Sequence, residues 1–220
     1  MRITLVNENL ELLPEKAAFW PARRTLFIAD PHFGKAATFR LAGLFVPRGT
    51  TQGALRRIDV MLEQTGATRI IFLGDFLHAR RGRSTQVLSE LQEWRAQHRE
   101  LELLLVRGNH DRGAGDPPAD LDIRCVDGPY HEGPFALAHH PMAVPGAYVL
   151  AGHLHPCIAL RGLGRYHEQL PCFWFSGEVG VLPAFGEFTG CAKIQQREED
   201  RVFVIGAGEV IALREETRRQ

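Results

Sequence analysis

Five short apolar runs in this chain each end in aspartate, asparagine or histidine. They are TLFIAD (25–30), RIIFLGD (69–75), ELLLVRGNHD (102–111), FALAHH (135–140) and YVLAGHLH (148–155). Runs of this length and composition predict buried β-strands. In open α/β sheets, ligands bind at the carboxyl ends of the strands. The pattern therefore predicts a site assembled from five strand ends.

Helix patterns separate the earlier runs. Thr50 or Thr51 can cap one helix, which Gly66 can end, and Ser84 can cap a second. The later segments CIALRG, LPCFWFSG and RVFVIGAGEVIAL indicate consecutive strands. We therefore predict an α/β fold with two sheets packed face to face and helices outside. With 220 residues and 45% hydrophobic content, we expect a single domain over residues 1–220.

The charge balance excludes binding to nucleic acid through a global positive field. Lysine plus arginine and aspartate plus glutamate each number 26, so any affinity for phosphate must be local. The acidic residues Glu8, Glu11 and Glu15 interrupt the N-terminus where a secretory signal would be apolar. Histidines and prolines interrupt the longest uncharged stretch, 133–160, which predicts no membrane span. We expect a cytoplasmic protein.

The cysteines predict no disulfide framework. No CxxC spacing occurs among Cys125, Cys157, Cys172 and Cys191. In a cytoplasmic chain we expect all of them to be reduced thiols.

The polar strand ends have the composition of a metal site. Asp30 and His32 are two residues apart, as are His153 and His155, so on extended backbone each pair points to one side. Aspartate, asparagine and histidine together suit Mn²⁺, Fe²⁺ or Zn²⁺. Six or seven ligands are too many for one catalytic ion. Two ions about 3.5–4 Å apart, sharing a carboxylate, would use them all, and such sites catalyse in-line displacement at phosphorus.

The ordered series D-x-H, G-D, G-N-H-D, H and G-H-x-H over residues 25–156 resembles the calcineurin-like metallophosphoesterase superfamily. More narrowly, LFIADPHFGKAATFR, LGDFLHAR, VRGNHDR and GAYVLAGHLHP resemble the bacterial DNA-ligase-associated metallophosphoesterases. That family is regarded as manganese-dependent DNA endonucleases linked to repair and encoded near a ligase, a helicase and an exonuclease. The resemblance implies a four-layer sandwich, two Mn²⁺ ions and DNA as substrate.

Carried over position by position, the resemblance also implies the site residues. One metal would be held by Asp30, His32 and His155, the other by Asn109, His139 and His153, with Asp75 bridging them. His140 follows His139, so the choice between these two rests on motif register. His110 would protonate the leaving oxygen after in-line attack by a metal-bridging hydroxide. Asp111 would orient His110 or close the turn.

The sequence indicates the substrate-binding residues less strongly than the metal ligands. Arg80, Arg81 and Arg83 follow the Asp75 motif and could hold flanking phosphates, although such a cluster is also typical of a solvated loop. Two alternatives stay open for His78, contact with substrate or a packed or solvated position. The segment CFWF, with Phe185 and Phe188, could stack on bases, but most such strands are core. Neutral overall charge favours single-stranded or locally distorted DNA over a long duplex.

Two other functional classes remain open. The same metal core would serve a phosphohydrolase of a small nucleotide or cyclic nucleotide. A metal-binding scaffold for protein contacts is the third class. Retention of His110 beside a full ligand set argues against the scaffold, because a scaffold has no need of the acid.

Overall fold

The computed structural model describes residues 1–161 and 167–213. Its helices are Lys35–Leu41 (α1), Thr50–Thr65 (α2), Thr85–Gln97 (α3) and Asn109–Ala114 (α4). The first sheet contains Arg2–Leu5 (β1), Glu8–Leu13 (β2), Ala17–Trp20 (β3), Thr25–Ile28 (β4), Arg69–Leu73 (β5), Glu102–Val106 (β6) and Arg124–Val126 (β7). The second contains Tyr130–Glu132 (β8), Phe135–Leu137 (β9), Tyr148–Ala151 (β10), Pro156–Arg161 (β11), His167–Phe175 (β12), Val179–Val181 (β13), Ala192–Lys193 (β14), Arg201–Gly206 (β15) and Glu209–Leu213 (β16).

The first sheet has a parallel half that carries three of the predicted strand ends. Strands β1 to β7 lie in chain order, antiparallel from β1 to β4 and parallel from β4 to β7. The strands β4, β5 and β6 have near-continuous apolar sequences, as expected for strands that are buried on both faces of a sheet. Because these neighbours run in one direction, their carboxyl ends meet at one edge of the sheet. The antiparallel strands β1–β3 were not predicted from the sequence.

The second sheet is also mixed. β10 runs parallel to both of its neighbours, β9 and β13, whereas β8, β12, β15 and β16 pair antiparallel. The parallel pair β9 and β10 carries the other two predicted strand ends. Their carboxyl ends also lie together, beside the edge formed by the first sheet.

One core lies between the sheets and another lies under the helices. Trp20, Phe27 and Leu104 of the first sheet pack against Phe135 and Phe173 of the second. The opposite face of the first sheet packs against α2 and α3 through Ile58, Leu91 and Trp94, and α1 and α4 add Ala37 and Ala114. The predicted α/β class, two packed mixed sheets with helices, is confirmed. In the described residues the helices lie against the first sheet.

The helix ends agree with the sequence except at one cap. Ser84 accepts a hydrogen bond from the Val87 amide at 3.3 Å, and Gly66 ends α2 with a φ of 63°. The prediction that Thr50 or Thr51 caps α2 is wrong, because Gly49 occupies the cap in a left-handed conformation and the helix already includes Thr50. Across the described ranges, no helix is long and apolar enough to span a membrane.

Two of the cysteines form a disulfide, so the expectation of reduced thiols is wrong for them. Cys157 and Cys191 are joined, with their Cα atoms 5.8 Å apart. The parallel pairing of β11 with β14 brings the two together, since Cys157 lies opposite Lys193. Because the two cysteines are 34 positions apart in sequence, no short motif such as CxxC indicates that they pair. Cys125 and Cys172 are free.

Candidate metal centre

Side chains that follow five parallel strands meet where the edges of the two sheets adjoin. β4, β5 and β6 lead into the polar residues of the first sheet, and β9 and β10 into those of the second. Most of these side chains are removed from solvent: Asp30 is 0%, Asp75 2% and His139 2% exposed. A buried group of this polarity requires charged or polar partners. The predicted convergence of the strand-end side chains is present in the structure. They are Asp30, His32, Asp75, Asn109, His139, His153 and His155.

The backbone around these residues is left-handed, and this corrects one step of the sequence argument. The φ angles are 52° at Asp30, 47° at His32, 52° at Asp75, 67° at His153 and 49° at His155. β4 ends at Ile28 and β10 at Ala151, so the pairs lie beyond the strands and not on extended backbone. Such angles cost non-glycine residues about 1–3 kcal/mol each and persist where the surroundings impose them. The side chains converge because of these turns.

One group of donor atoms comes from Asp30, His32 and His155. A ligand atom of each lies within 4.8 Å of the others. His155 donates through Nδ1 to the Gly190 carbonyl at 3.0 Å, which leaves the Nε2 lone pair free on the side of Asp30. Asp30 Oδ1 and His32 Nδ1 are buried and have no hydrogen-bond partner among the described residues. A cation would satisfy the orphaned Asp30 Oδ1, so this donor group fits a divalent metal.

A second group comes from Asn109, His139 and His153. His139 donates through Nδ1 to the Leu73 carbonyl at 3.1 Å, so its Nε2 carries a lone pair. That Nε2 lies 2.9 Å from Asn109 Oδ1 and 3.1 Å from His153 Nδ1. Neighbouring ligands on one ion, with bonds of about 2.0–2.2 Å, stand about 3 Å apart. The spacing therefore fits a shared cation. His140 lies within the same group of possible donors and meets the His153 ring edge to face. It is exposed, whereas His139 is buried and contacts Asn109, so the geometry favours His139 over His140.

The carboxylate of Asp75 lies between the two groups. Its Oδ2 is 3.8 Å from His32 Nε2, and its Oδ1 is 3.4 Å from His139 Nε2. Oδ1 also accepts a hydrogen bond from the His110 amide at 2.9 Å. Burial raises the pKa of Asp75 above its ordinary value, and the hydrogen bond from the His110 amide opposes this. A carboxylate in this position could join two ions.

Burial favours the neutral form of three histidines of the site, His32, His139 and His153. Burial lowers the pKa of His32 to about 2 and that of His139 to about 4, and it also lowers the pKa of His153. Metal ligation needs the unprotonated imidazole. Burial therefore keeps these rings in the form that binds a metal.

His110 stands beside the metal-binding groups and is held by His78. Its Nδ1 donates to the His78 carbonyl at 2.6 Å, and the two rings stack with centroids 4.9 Å apart. Its Nε2 lies 3.9 Å from Asp75 Oδ2. Because a carbonyl only accepts, Nδ1 carries a proton and Nε2 is the atom that faces the site. His78 thus contacts His110 through both its backbone and its ring.

The sequence left two roles open for Asp111, orienting His110 or closing the turn, and its hydrogen bonds distinguish them. Its Oδ2 accepts from the amides of Asp75 and Gly108, each at 2.8 Å, and its Oδ1 accepts from Leu77 at 3.3 Å. Both carboxylate oxygens are thus used by backbone groups of the two motif turns. His110 takes its orientation from the His78 carbonyl. The geometry therefore supports the turn-closing alternative and does not support a catalytic role for Asp111.

The glycines before the motif residues allow close approach. A Cβ on Gly74, which has a φ of 84°, would overlap the His139 ring, and one on Gly108 would overlap the Asp75 carboxylate. Glycine at these two positions therefore lets the backbone pass close to the shared centre.

The three arginines after the Asp75 motif differ in their contacts. Arg80 and Arg81 are exposed on a 3₁₀ turn. Arg83 donates through Nη1 to the carbonyls of Ala114, Gly115 and Asp116 at 3.1, 3.2 and 2.8 Å. This side chain braces the end of α4, so the expectation that it holds a phosphate loses its support. Only Arg80 and Arg81 of the three present free-standing cations near the site.

Sequence reasoning missed the carbonyls that orient the imidazoles. Leu73, His78 and Gly190 each supply one. Every residue has a carbonyl group, so no side-chain pattern could have identified these three.

Comparison with known proteins gives a family and a similar structure. A family model described as calcineurin-like phosphoesterase matches residues 23–138. No curated protein matches the chain. The solved nuclease MPE of Pseudomonas putida is 44% identical, covers 97% of this chain and 99% of its own, and superposes with a TM-score of 0.87. The phosphoesterase Yfce of E. coli is 16% identical over 86% of this chain and 96% of its own, with a TM-score of 0.40.

Proposed function

The chain belongs to the calcineurin-like phosphoesterase family, and from this membership and the geometry of its site we propose that it is a two-metal DNA endonuclease. One observation carries the proposal: the Asp75 carboxylate lies between two donor groups, with His110 Nε2 3.9 Å from it. The arrangement supports hydrolysis of a phosphodiester, because it joins a place for two cations to a proton donor.

We assign the ligands as the motif pattern implied. Asp30, His32 and His155 would hold one ion, Asn109, His139 and His153 the other, and Asp75 both. Two divalent ions supply, when bound, an activated water and neutralisation of charge on the phosphoryl oxygens. The mixed oxygen and nitrogen donors support Mn²⁺, with Fe²⁺ or Zn²⁺ as the alternatives.

The protein's own residues would orient the phosphate and supply the proton. His110, with Nδ1 fixed by the His78 carbonyl, presents Nε2 toward the site, where its protonated form can donate to the leaving oxygen. His78 holds that ring by stacking and lies where substrate would pass. Burial lowers the pKa of His78 to about 4, so it acts as a neutral ring. Asp111 holds the Asp75 turn in place.

DNA is the substrate that the comparison and the surface support. The similar structure from P. putida is called a nuclease. Arg80 and Arg81 are exposed directly after the Asp75 motif and could hold the phosphates that flank the scissile one. The chain has no net charge, so this local grip favours single-stranded or distorted DNA over a long duplex.

The cellular setting is proposed from the narrower resemblance. The motif stretches similar to DNA-ligase-associated enzymes support a role in bacterial DNA repair, with functional links to a ligase, a helicase and an exonuclease. Such a role would place the protein in the cytoplasm.

Cleavage of closed circular DNA tests the proposal. Single-stranded and duplex circles would be incubated with the purified protein and Mn²⁺, beside Asp75→Asn protein prepared identically. Conversion of the single-stranded circle to linear molecules, and its loss in Asp75→Asn, is the expected result. His131→Ala, which alters an exposed histidine of β8, is the matched control and should cleave normally. Intact circles from a metal-loaded protein would contradict the proposal and favour a small-nucleotide phosphohydrolase.

A further inference from the structure

Phe188 is one of two exposed phenylalanines of this chain, and the other is Phe45. Ten of the 13 are buried, whereas Phe188 is 46% exposed. The structure separates it from the other aromatic residues of the region: Phe173 and Phe175 lie in the core between the sheets, and Phe185 is fully buried under the helices. Trp174 of CFWF is half-buried, and its Nε1 donates to Asp200 Oδ2 at 2.9 Å. The sequence alternative of base stacking is therefore pursued for Phe188, the exposed aromatic residue of this set.

The segment that carries Phe188 is attached to the metal-binding turns at both ends. The Phe185 amide donates to the Ala29 carbonyl at 2.8 Å, and the Gly186 amide to the Asp30 carbonyl at 3.0 Å. At the other end the Gly190 carbonyl accepts from His155 at 3.0 Å. Two of these three hydrogen bonds involve residues of the first donor group, Asp30 and His155. The segment therefore holds Phe188 at a fixed place beside that group.

The conformation of Phe188 shows that its position is imposed. Its φ is 58°, in the left-handed region that phenylalanine rarely adopts. Such strain persists only where the surrounding structure maintains it, and it is frequent at ligand-binding sites. Almost half of the surface of Phe188 nevertheless stays exposed to solvent. The segment therefore presents the ring instead of burying it.

The surroundings of Phe188 combine an aromatic face with phosphate-binding chemistry. Phe188 lines one pocket with His32, Lys35, Thr50 and Thr51. His32 belongs to the first donor group, and Lys35 brings a cation at the start of α1. Glu187 also lines this pocket, where Lys16 and Arg57 interact electrostatically with it and offset its charge.

We infer that Phe188 is a specificity-determining residue that stacks on an unpaired nucleobase next to the scissile phosphate. A phosphate at the metal centre brings its attached nucleoside to the surface beside the first donor group, where the Phe188 ring offers a π-face that any base can use. A base in an intact duplex is already stacked and paired, so the contact selects single-stranded or opened DNA. This inference rests on the proposed function and names the substrate feature that the site recognises, an unpaired base beside the scissile phosphate.

The test compares two proteins on two substrates. Wild-type and Phe188→Ala enzymes would cleave a thymidine oligonucleotide and the same oligonucleotide with abasic residues on both sides of one central linkage. Stacking on one aromatic ring predicts that KM for the central linkage of the intact oligonucleotide is about tenfold lower than for the abasic one in the wild type. In Phe188→Ala this difference should disappear, because KM for the intact substrate rises to the abasic value.

Further variants separate stacking from other effects. Phe188→Trp should retain the preference for the intact substrate, and Phe188→Leu, which is apolar but not aromatic, should lose it. Ile211→Ala, at an exposed apolar residue of β16, is the matched control and should behave as wild type. Metal content and circular dichroism would show that each variant keeps its fold and its metal centre.

The outcomes distinguish this inference from the proposed function. If Phe188→Ala keeps the wild-type preference, or raises KM equally for both oligonucleotides, the stacking role is overturned while the nuclease proposal stands. If the wild type hydrolyses bis(4-nitrophenyl) phosphate but neither oligonucleotide, the proposed function is overturned and the stacking role falls with it.

Discussion

His110 Nδ1 donates to the carbonyl of His78 at 2.6 Å, and the two imidazoles stack at a centroid distance of 4.9 Å. This contact fixes the protonated nitrogen of His110 on the side away from the metal-binding groups. Nε2 is left as the one ring atom that can exchange a proton with substrate. The orientation of the His110 ring is thus set by a main-chain group 32 residues away in sequence.

Replacing His110 should affect the leaving-group step and leave the metal-binding groups intact. His110→Ala is expected to cut DNA about 10²- to 10⁴-fold more slowly, the usual contribution of a general acid. An ester with 4-nitrophenolate as leaving group needs no proton, so its hydrolysis should fall much less. Rates on both substrates, with metal content measured in parallel, check this. Equal losses on both substrates would contradict the acid role, and unchanged DNA cleavage would remove it.

Adding a methyl group at Gly74 should disrupt the second donor group. The new Cβ of Gly74→Ala would overlap the His139 ring and displace it from Asn109 and His153. We expect the variant to lose one of the two metal ions. Gly43→Ala is the matched control, because Gly43 has a similar φ of 81° and no atoms within 4 Å of the added Cβ. Metal analysis of the two proteins should differ; full metal occupancy in Gly74→Ala would count against this packing.

The stability of the metal-free protein should fall as pH falls. Burial lowers the pKa of His139 from 6.5 to about 4, so between these values the unfolded chain binds a proton that the folded chain does not. Stability is therefore present above pH 6.5 and is lost as pH falls toward 4. From pH 7 to pH 5 the loss from this one group is about 2 kcal/mol.

Urea unfolding of the chelator-treated protein at both pH values measures this loss. In His139→Asn, whose amide can still donate to the Leu73 carbonyl, the free energy of unfolding should fall between pH 7 and pH 5 by about 2 kcal/mol less than in the wild type. His131→Asn, at an exposed position, should behave as wild type. The same loss in all three proteins would show that His139 does not remain neutral in the fold.

The exposed arginines should contribute to the salt dependence of DNA binding. Each phosphate contact adds about 0.7 to the slope of log affinity against log salt for a single strand, so Arg80→Ala with Arg81→Ala should flatten the slope by up to about 1.4. Arg83→Ala should lower stability instead, because it removes hydrogen bonds to the end of α4. Arg99→Ala, at an exposed position after α3, controls for net charge. An unchanged slope in the double variant would exclude phosphate contact.

The parts of the fold that the sequence predicted are those with a strong local pattern. After their first residue, β4, β5 and β6 are apolar, and polar residues follow each of them, so the sequence predicted both the strands and the edge that carries the site. Ser84 and Gly66 marked helix ends for the same reason. The short antiparallel strands β1–β3 have mixed composition, and no such pattern identified them.

The geometry of the site depended on features without a sequence signal. The D-x-H and H-x-H spacings predicted convergence, but the left-handed turns at Asp30 and His153 produce it. The Gly190 carbonyl reaches His155 only because the chain returns after β13. The Cys157–Cys191 disulfide likewise follows from strand register. These are long-range contacts, which residue spacing within one segment cannot encode.

The most direct test of the central claim is anomalous diffraction at the manganese edge from crystals grown with Mn²⁺. Two anomalous-difference peaks about 3.5–4 Å apart are expected. One should lie against Asp30, His32 and His155, the other against Asn109, His139 and His153, with Asp75 touching both. A single peak, or two peaks that do not share Asp75, would contradict the two-metal site on which the proposed chemistry depends.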